Sequence, residues 1–115
     1  MGRTDVGAST TSKQPSASQR AICLIVRAEA RAGADEDVEA LLRDHAHRVL
    51  AEEPGCETYV VTRLIGSREH FAAHARFIDW PAFARHGETT HLQRIMPKLT
   101  ALLATPISME IFYEV

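Results

Sequence analysis

The chain has 115 residues, 45% of them hydrophobic, which is enough to build one domain core but not two. Its formal charge of -2 offers no single-sign field that would recruit phosphate backbones or anionic lipids, so neither nucleic acid nor a membrane is an expected partner. The longest apolar run, Ala21 to Val26, stops far short of the ~20 residues that cross a bilayer as a helix.

Residues 1–19, "MGRTDVGASTTSKQPSASQ", lack the apolar centre of a secretory leader and are rich in Ser, Thr and Gly. They predict a disordered tail ahead of one domain over residues 20–115, in a cytoplasmic protein. "AICLIVRAEA", from Ala21 to Ala30, begins as a continuous apolar run and ends in alternation, the pattern of a first strand. After Gly33, Val38, Leu41, Leu42, His45 and Val49 share one face of a helix with acidic residues in its first turn and Pro54-Gly55 as its stop. "CETYVVTRL" and "HFAAHARF", joined by "IGSRE", read as an antiparallel strand pair. Cys23 and Cys56 fall in separate apolar segments without CxxC spacing, so they read as two buried thiols and not as a disulfide or a zinc knuckle.

Asp79 is placed to cap a short helix with Trp80 and Pro81 in its first turn, and Trp80 then seals the core or stacks on a ligand. Gly87 ends that helix, and Thr89 or Thr90 caps another from His91 onward. Pro97 removes one internal hydrogen bond and predicts a kink or restart near Met96. "ISMEIFYEV" closes the chain as a fourth strand. The order βαββαβ predicts an α+β, ferredoxin-like fold with an antiparallel sheet and its helices on one face. The other face carries several apolar residues with no cover in the chain, which predicts a homodimer.

"VRAEARAG", "LLRDHAHRVLAEEPGCETYVVTR", "HFAAHARFIDWPAFARHGETTHL" and the closing strand resemble the antibiotic biosynthesis monooxygenase domain of the dimeric α+β barrel superfamily. The features that carry the likeness are Glu53-Pro54-Gly55-Cys56 with Tyr59 beyond, the Asp79, Ala82, His86 spacing, and His91 followed by an apolar residue. The resemblance implies a dimer with facing sheets and a pocket between sheet and helices. Several members use that pocket to oxidise quinols, anthrones or related phenols with dioxygen and no bound cofactor. The chain departs from the pattern where members carry Tyr-Glu and a later aromatic, having His74, Ala75 and Phe77 instead. The Asn, Trp and His of the heme-degrading branch align with Val26, Phe77 and Met96, and no Asn occurs anywhere in the chain, so heme breakdown is not expected.

Alternation along the third strand puts Phe71, Ala73, Ala75 and Phe77 under the helices and His70, Ala72, His74 and Arg76 on the opposite face. The two alanines between phenylalanines predict either a slot for a flat aromatic molecule or a close-packed core. Val26, Phe83, Leu92 and Met96 complete the expected substrate-binding lining. Three histidines are the candidate catalytic groups: His45 as base, with His86 and His91 orienting the substrate or receiving its charge. The alternative for His45 is a core imidazole bonded to a backbone carbonyl. His47 should be solvated. No metal site is expected, because His70 and His74 are ~13 Å apart on a strand and His45, His86 and His91 would meet Glu88 only by tertiary coincidence. The resulting expectation is a cofactor-independent monooxygenase acting on a small electron-rich aromatic substrate with dioxygen. The rival expectations are a histidine-dependent isomerase or lyase of the autoinducer-processing kind, and a protein that binds a small aromatic compound without turning it over.

Overall fold

The computed structural model describes residues 19–115, so the tail expected over residues 1–19 lies outside the described residues save for Gln19. Four strands, β1 (Ile22–Glu29), β2 (Cys56–Arg63), β3 (His70–Phe77) and β4 (Ser108–Tyr113), alternate with α1 (Asp35–Glu52), α2 (Trp80–His86) and α3 (Thr90–Leu102). The sheet order is β2-β3-β1-β4 with every neighbouring pair antiparallel. This is the expected ferredoxin-like α+β fold, with the second helical segment divided in two. No described helix is long and apolar enough to cross a membrane.

The apolar run of β1 occupies a central position, with Ile22 and Leu24 buried against the helices. On α1 the stripe Val38, Leu42, His45, Ala46 and Val49 is buried, as its helical spacing requires. Asp35 in the first turn is held by Arg63 at 3.5 Å and Arg68 at 3.4 Å, which fastens the start of α1 to the β2–β3 hairpin. The hairpin turn contains Gly66 at φ +86°, a conformation a Cβ would disfavour.

The register of β2 against β3 is interrupted at Glu57: Cys56 pairs with Phe77, but Thr58 pairs with Arg76. Strict alternation would put Cys56 and Tyr59 on opposite faces, since they are an odd number of residues apart. The bulge restores the phase, and both side chains are buried under the helices. On β3, Phe71, Ala73, Ala75 and Phe77 face inward, and His70 and His74 are exposed on the far side. Cys56 is buried, whereas Cys23 is only half-buried because it sits on the open sheet face opposite Phe112.

The caps read from the sequence are present. Asp79 accepts from the Ala82 amide at 2.9 Å, and Thr89 accepts from the Leu92 amide at 3.3 Å. Of the kink or restart expected near Met96, the restart is absent, because α3 is one helix through Pro97. Pro97 and Gln93, whose carbonyl would have been its partner, are both exposed residues, on the side of the helix where solvent can take the place of the lost bond. Met96 lies on the same outer side and is exposed, while Ile95 and Leu99 carry the buried stripe. Trp80 is about half-exposed with its ring 5.2 Å from Phe83, so it covers the edge of the core and does not seal it.

Gly55 joins α1 to β2 where α2 crosses. A Cβ there would fall 2.5 Å from the Ala82 Cβ, and the Gly55 carbonyl accepts from the Ile78 amide at 2.9 Å, so the strand cannot retreat without losing that bond. Gly55→Ala is expected to lower unfolding stability by ~1–3 kcal/mol through overpacking. An unchanged urea midpoint would contradict the close approach.

Candidate functional site

The corner between α2 and α3 decides what the two histidines of "ARHGETTHLQ" do. His86 is the last residue of α2 and His91 the second of α3. The Thr89 hydroxyl donates to the His86 carbonyl at 3.0 Å, closing the corner tightly. Both imidazoles therefore turn toward the end of α1, where Glu53 leaves the helix in extended conformation with its amide donating to the Val49 carbonyl.

His86 Nδ1 lies 3.0 Å from each carboxylate oxygen of Glu53, and His91 Nε2 lies 2.5 Å from Glu53 Oε2. An ionised carboxylate can only accept, which places a proton on Nδ1 of His86 and on Nε2 of His91. The three side chains are 11%, 6% and 10% exposed for Glu53, His86 and His91 respectively, so the pairing operates with little solvent screening. The other nitrogen of His91, Nδ1, is 3.5 Å from exposed Glu52.

His45 completes the cluster from the middle of α1. Its ring centroid is 5.8 Å from those of both His86 and His91, and 5.6 Å edge-on from the ring of Tyr59. Its Nε2 is buried with no hydrogen-bond partner, which departs from the carbonyl-bonded core histidine considered above. Burial, and then the neighbouring His86 and His91, lower its pKa to about 4, so it is neutral at physiological pH. Burial also pushes the Tyr59 phenol above its ordinary range and the Cys56 thiol up to about 11, so both keep their protons.

A groove of about 640 Å³ between α1 and α3 reaches this cluster. His45 and His91 lie along it beside Leu41 and Ile95, and Arg48, Arg94 and Lys98 line it as well. Of the two arrangements the alanines allow over the sheet, the close-packed core is the one present. Ala73, Ala75 and Phe77 are buried in one cluster with Ala46, Val49 and Tyr59, because the small strand residues let α1 come close. Val26 and Phe83 pack at the margin of that cluster, and Leu92 packs against a second one around Leu99. Met96 faces away from both.

The structure thus brings together His45, His86 and His91 from the sequence reading. Their carboxylate is Glu53, and Glu88, not expected to meet them except by tertiary coincidence, is exposed. In the sequence, Glu53 and Tyr59 stand out only as parts of a motif. The Pro54-Gly55 stop is the available signal, since it pins the residue before it at the end of α1. Ligand atoms of Glu53, His86 and His91 all lie within 4.8 Å of one another, close enough to share an ion.

The family model for antibiotic biosynthesis monooxygenase matches residues 21–98. No curated protein matches the chain. Among solved structures, a Caulobacter crescentus CB15 protein provisionally called an antibiotic biosynthesis monooxygenase is 21% identical with a TM-score of 0.80, covering 85% of this chain and 92% of that one. PA3566 from Pseudomonas aeruginosa is 24% identical with a TM-score of 0.75, covering 85% of this chain and 97% of that one. SnoaB from Streptomyces nogalater, a cofactor-independent oxygenase solved as a mutant, is 20% identical with a TM-score of 0.72, covering 81% of this chain and 91% of that one. At these identities the neighbours establish the fold, and the family model, which spans well over half of the sequence, establishes the kinship: the chain belongs to the antibiotic biosynthesis monooxygenase family.

Proposed function

We propose that the protein is a cofactor-independent monooxygenase of a small, electron-rich aromatic substrate of the quinol or anthrone type. The observation that carries this reading is the buried Glu53–His86–His91 cluster, reached by a groove and flanked by a neutral His45. Family membership and the likeness to SnoaB, itself a cofactor-independent oxygenase, support it.

The chemistry needs a base, a dry site and dioxygen. His45 is too weakly basic to be the first choice, since an imidazole with a pKa of about 4 is far from the phenolic range. His91 is better placed, because Glu53 holds its Nε2–H and the groove reaches its ring. Its Nδ1 takes the substrate proton, and the imidazolium formed lies between Glu52 and Glu53. The substrate anion passes one electron to dioxygen, the radical pair joins at carbon, and loss of water from the peroxide leaves a carbonyl. His45 presents its neutral ring along the groove beside His91, and His86 keeps Glu53 in position. Arg48, Arg94 and Lys98 favour a substrate that carries or develops negative charge.

The same proposal includes a homodimer built through the open sheet face. Val60 and Phe112 are 53% and 48% exposed there, beside ion pairs of Arg27 with Glu110 and of Arg76 with Glu57 and Glu114. Light scattering is expected to give twice the 12.7 kDa subunit mass. A monodisperse monomer at micromolar concentration would contradict it.

Purified protein stripped of metal should consume oxygen with at least one member of a quinol and anthrone panel. His91→Gln should lower turnover by ~10²-fold or more with folding intact. Substrate conversion without oxygen uptake would point to proton-transfer isomerisation, and binding without turnover would leave a ligand-binding protein. Both would overturn the oxygenase reading.

His45 also sets a pH dependence of stability. Its folded pKa lies below the unfolded value of 6.5, so its contribution is fully present above pH 6.5 and is lost as pH falls toward about 4. The melting temperature of the parent should decline more steeply over that window than that of His45→Leu. Parallel curves would show that His45 takes a proton as readily in the folded chain.

A further inference from the structure

We propose that Glu53, His86 and His91 form a site for one divalent transition-metal ion of the zinc type, with a remaining position open to water. Two imidazoles and a carboxylate are the donor set that zinc and its neighbours in the first transition row accept. Zinc bonds of ~2.0–2.1 Å put ligand atoms ~3.3–3.4 Å apart along the edges of a tetrahedron. The 3.0 Å and 2.5 Å separations of Glu53 from His86 and His91 are each shorter than that edge by under about 1 Å, a gap that side-chain rotation can open, and all three ligand atoms lie within 4.8 Å of one another. In the absence of an ion, protons occupy these edges, and a cation entering the site displaces them.

His45 stands beside the site. It is only 6% exposed, its Nε2 has no partner, and its ring centroid is 5.8 Å from those of both His86 and His91. A buried polar nitrogen left without a hydrogen bond is costly unless something satisfies it, and a water bound to the ion would supply a donor on that side. The ligands come from the end of α1, the end of α2 and the start of α3, so the site is held by three separate elements and not by one loop.

The inference uses the side chains of the proposed oxygenase site but does not depend on that activity. Occupancy would withdraw His91 from proton transfer, so the ion would act as an inhibitor of oxygen consumption.

Chelator-treated full-length protein, titrated with cobalt(II) at neutral pH, should take up one equivalent with the visible d–d absorption of a four- or five-coordinate ion. Zinc should displace it. Glu53→Gln and His86→Gln should each weaken zinc binding by ~100-fold or more, because even residues that only orient a ligand contribute ~10–100-fold. His45→Leu should keep one equivalent of ion with the three ligands intact, and His70→Gln, on the far sheet face, should leave affinity and spectrum unchanged. Circular dichroism checks folding, and His91→Gln carries the same test should Glu53→Gln fail to fold. No uptake, or uptake that none of the ligand variants weakens, would overturn the site. Oxygen consumption separates the two proposals: binding of cobalt by a protein without oxygenase activity sinks only the function, and activity in a chain that binds no metal sinks only this inference.

Discussion

One carboxylate, that of Glu53, lies between two imidazoles delivered by the ends of two other helices. Hydrogen bonds to a charged group are worth ~1.5–3 kcal/mol each, more than neutral ones, and the low exposure of all three side chains keeps water from replacing them. The pairing does more than hold helix ends together. It fixes which nitrogen of each ring carries a proton, and it sets the charge that His45 and Tyr59 experience.

Several backbone features serve that one contact. The Pro54-Gly55 stop ends α1 where Glu53 can turn inward, and Gly55 lets α2 approach within contact of the strand start. Asp79 and Thr89 cap the two short helices so that His86 and His91 face the same point. The bulge at Glu57 brings Tyr59 to the inner face, where its ring meets His45. A histidine so enclosed loses its proton readily, which separates it from the role of strong base and leaves an unsatisfied nitrogen beside two others.

The elements of the fold were legible because each had a local cause: the apolar run of β1, the stripe from Val38 to Val49, alternation along β3, and the Asp79 and Thr89 caps. The three site histidines were legible as inward-facing or flanking a helix break. What sequence periodicity does not encode is where separate helix ends meet, so nothing in it singles out Glu53 as the carboxylate between the histidines. The slot over Ala73 and Ala75 fails for a related reason. Small side chains create room only if the opposing helix stays away, and α1 does not. At Pro97 the lost hydrogen bond does not end the helix, and both Pro97 and Gln93 lie on its exposed side.

The central claim is that Glu53 locks both imidazoles. Long-range ¹H–¹⁵N NMR of the histidine rings in the metal-free protein tests it directly. The account predicts a resident proton on Nδ1 of His86 and on Nε2 of His91, a neutral His45, and release of His86 and His91 into averaging tautomers in Glu53→Gln. Rings that already average in the parent, or that Glu53→Gln leaves unaltered, would contradict it.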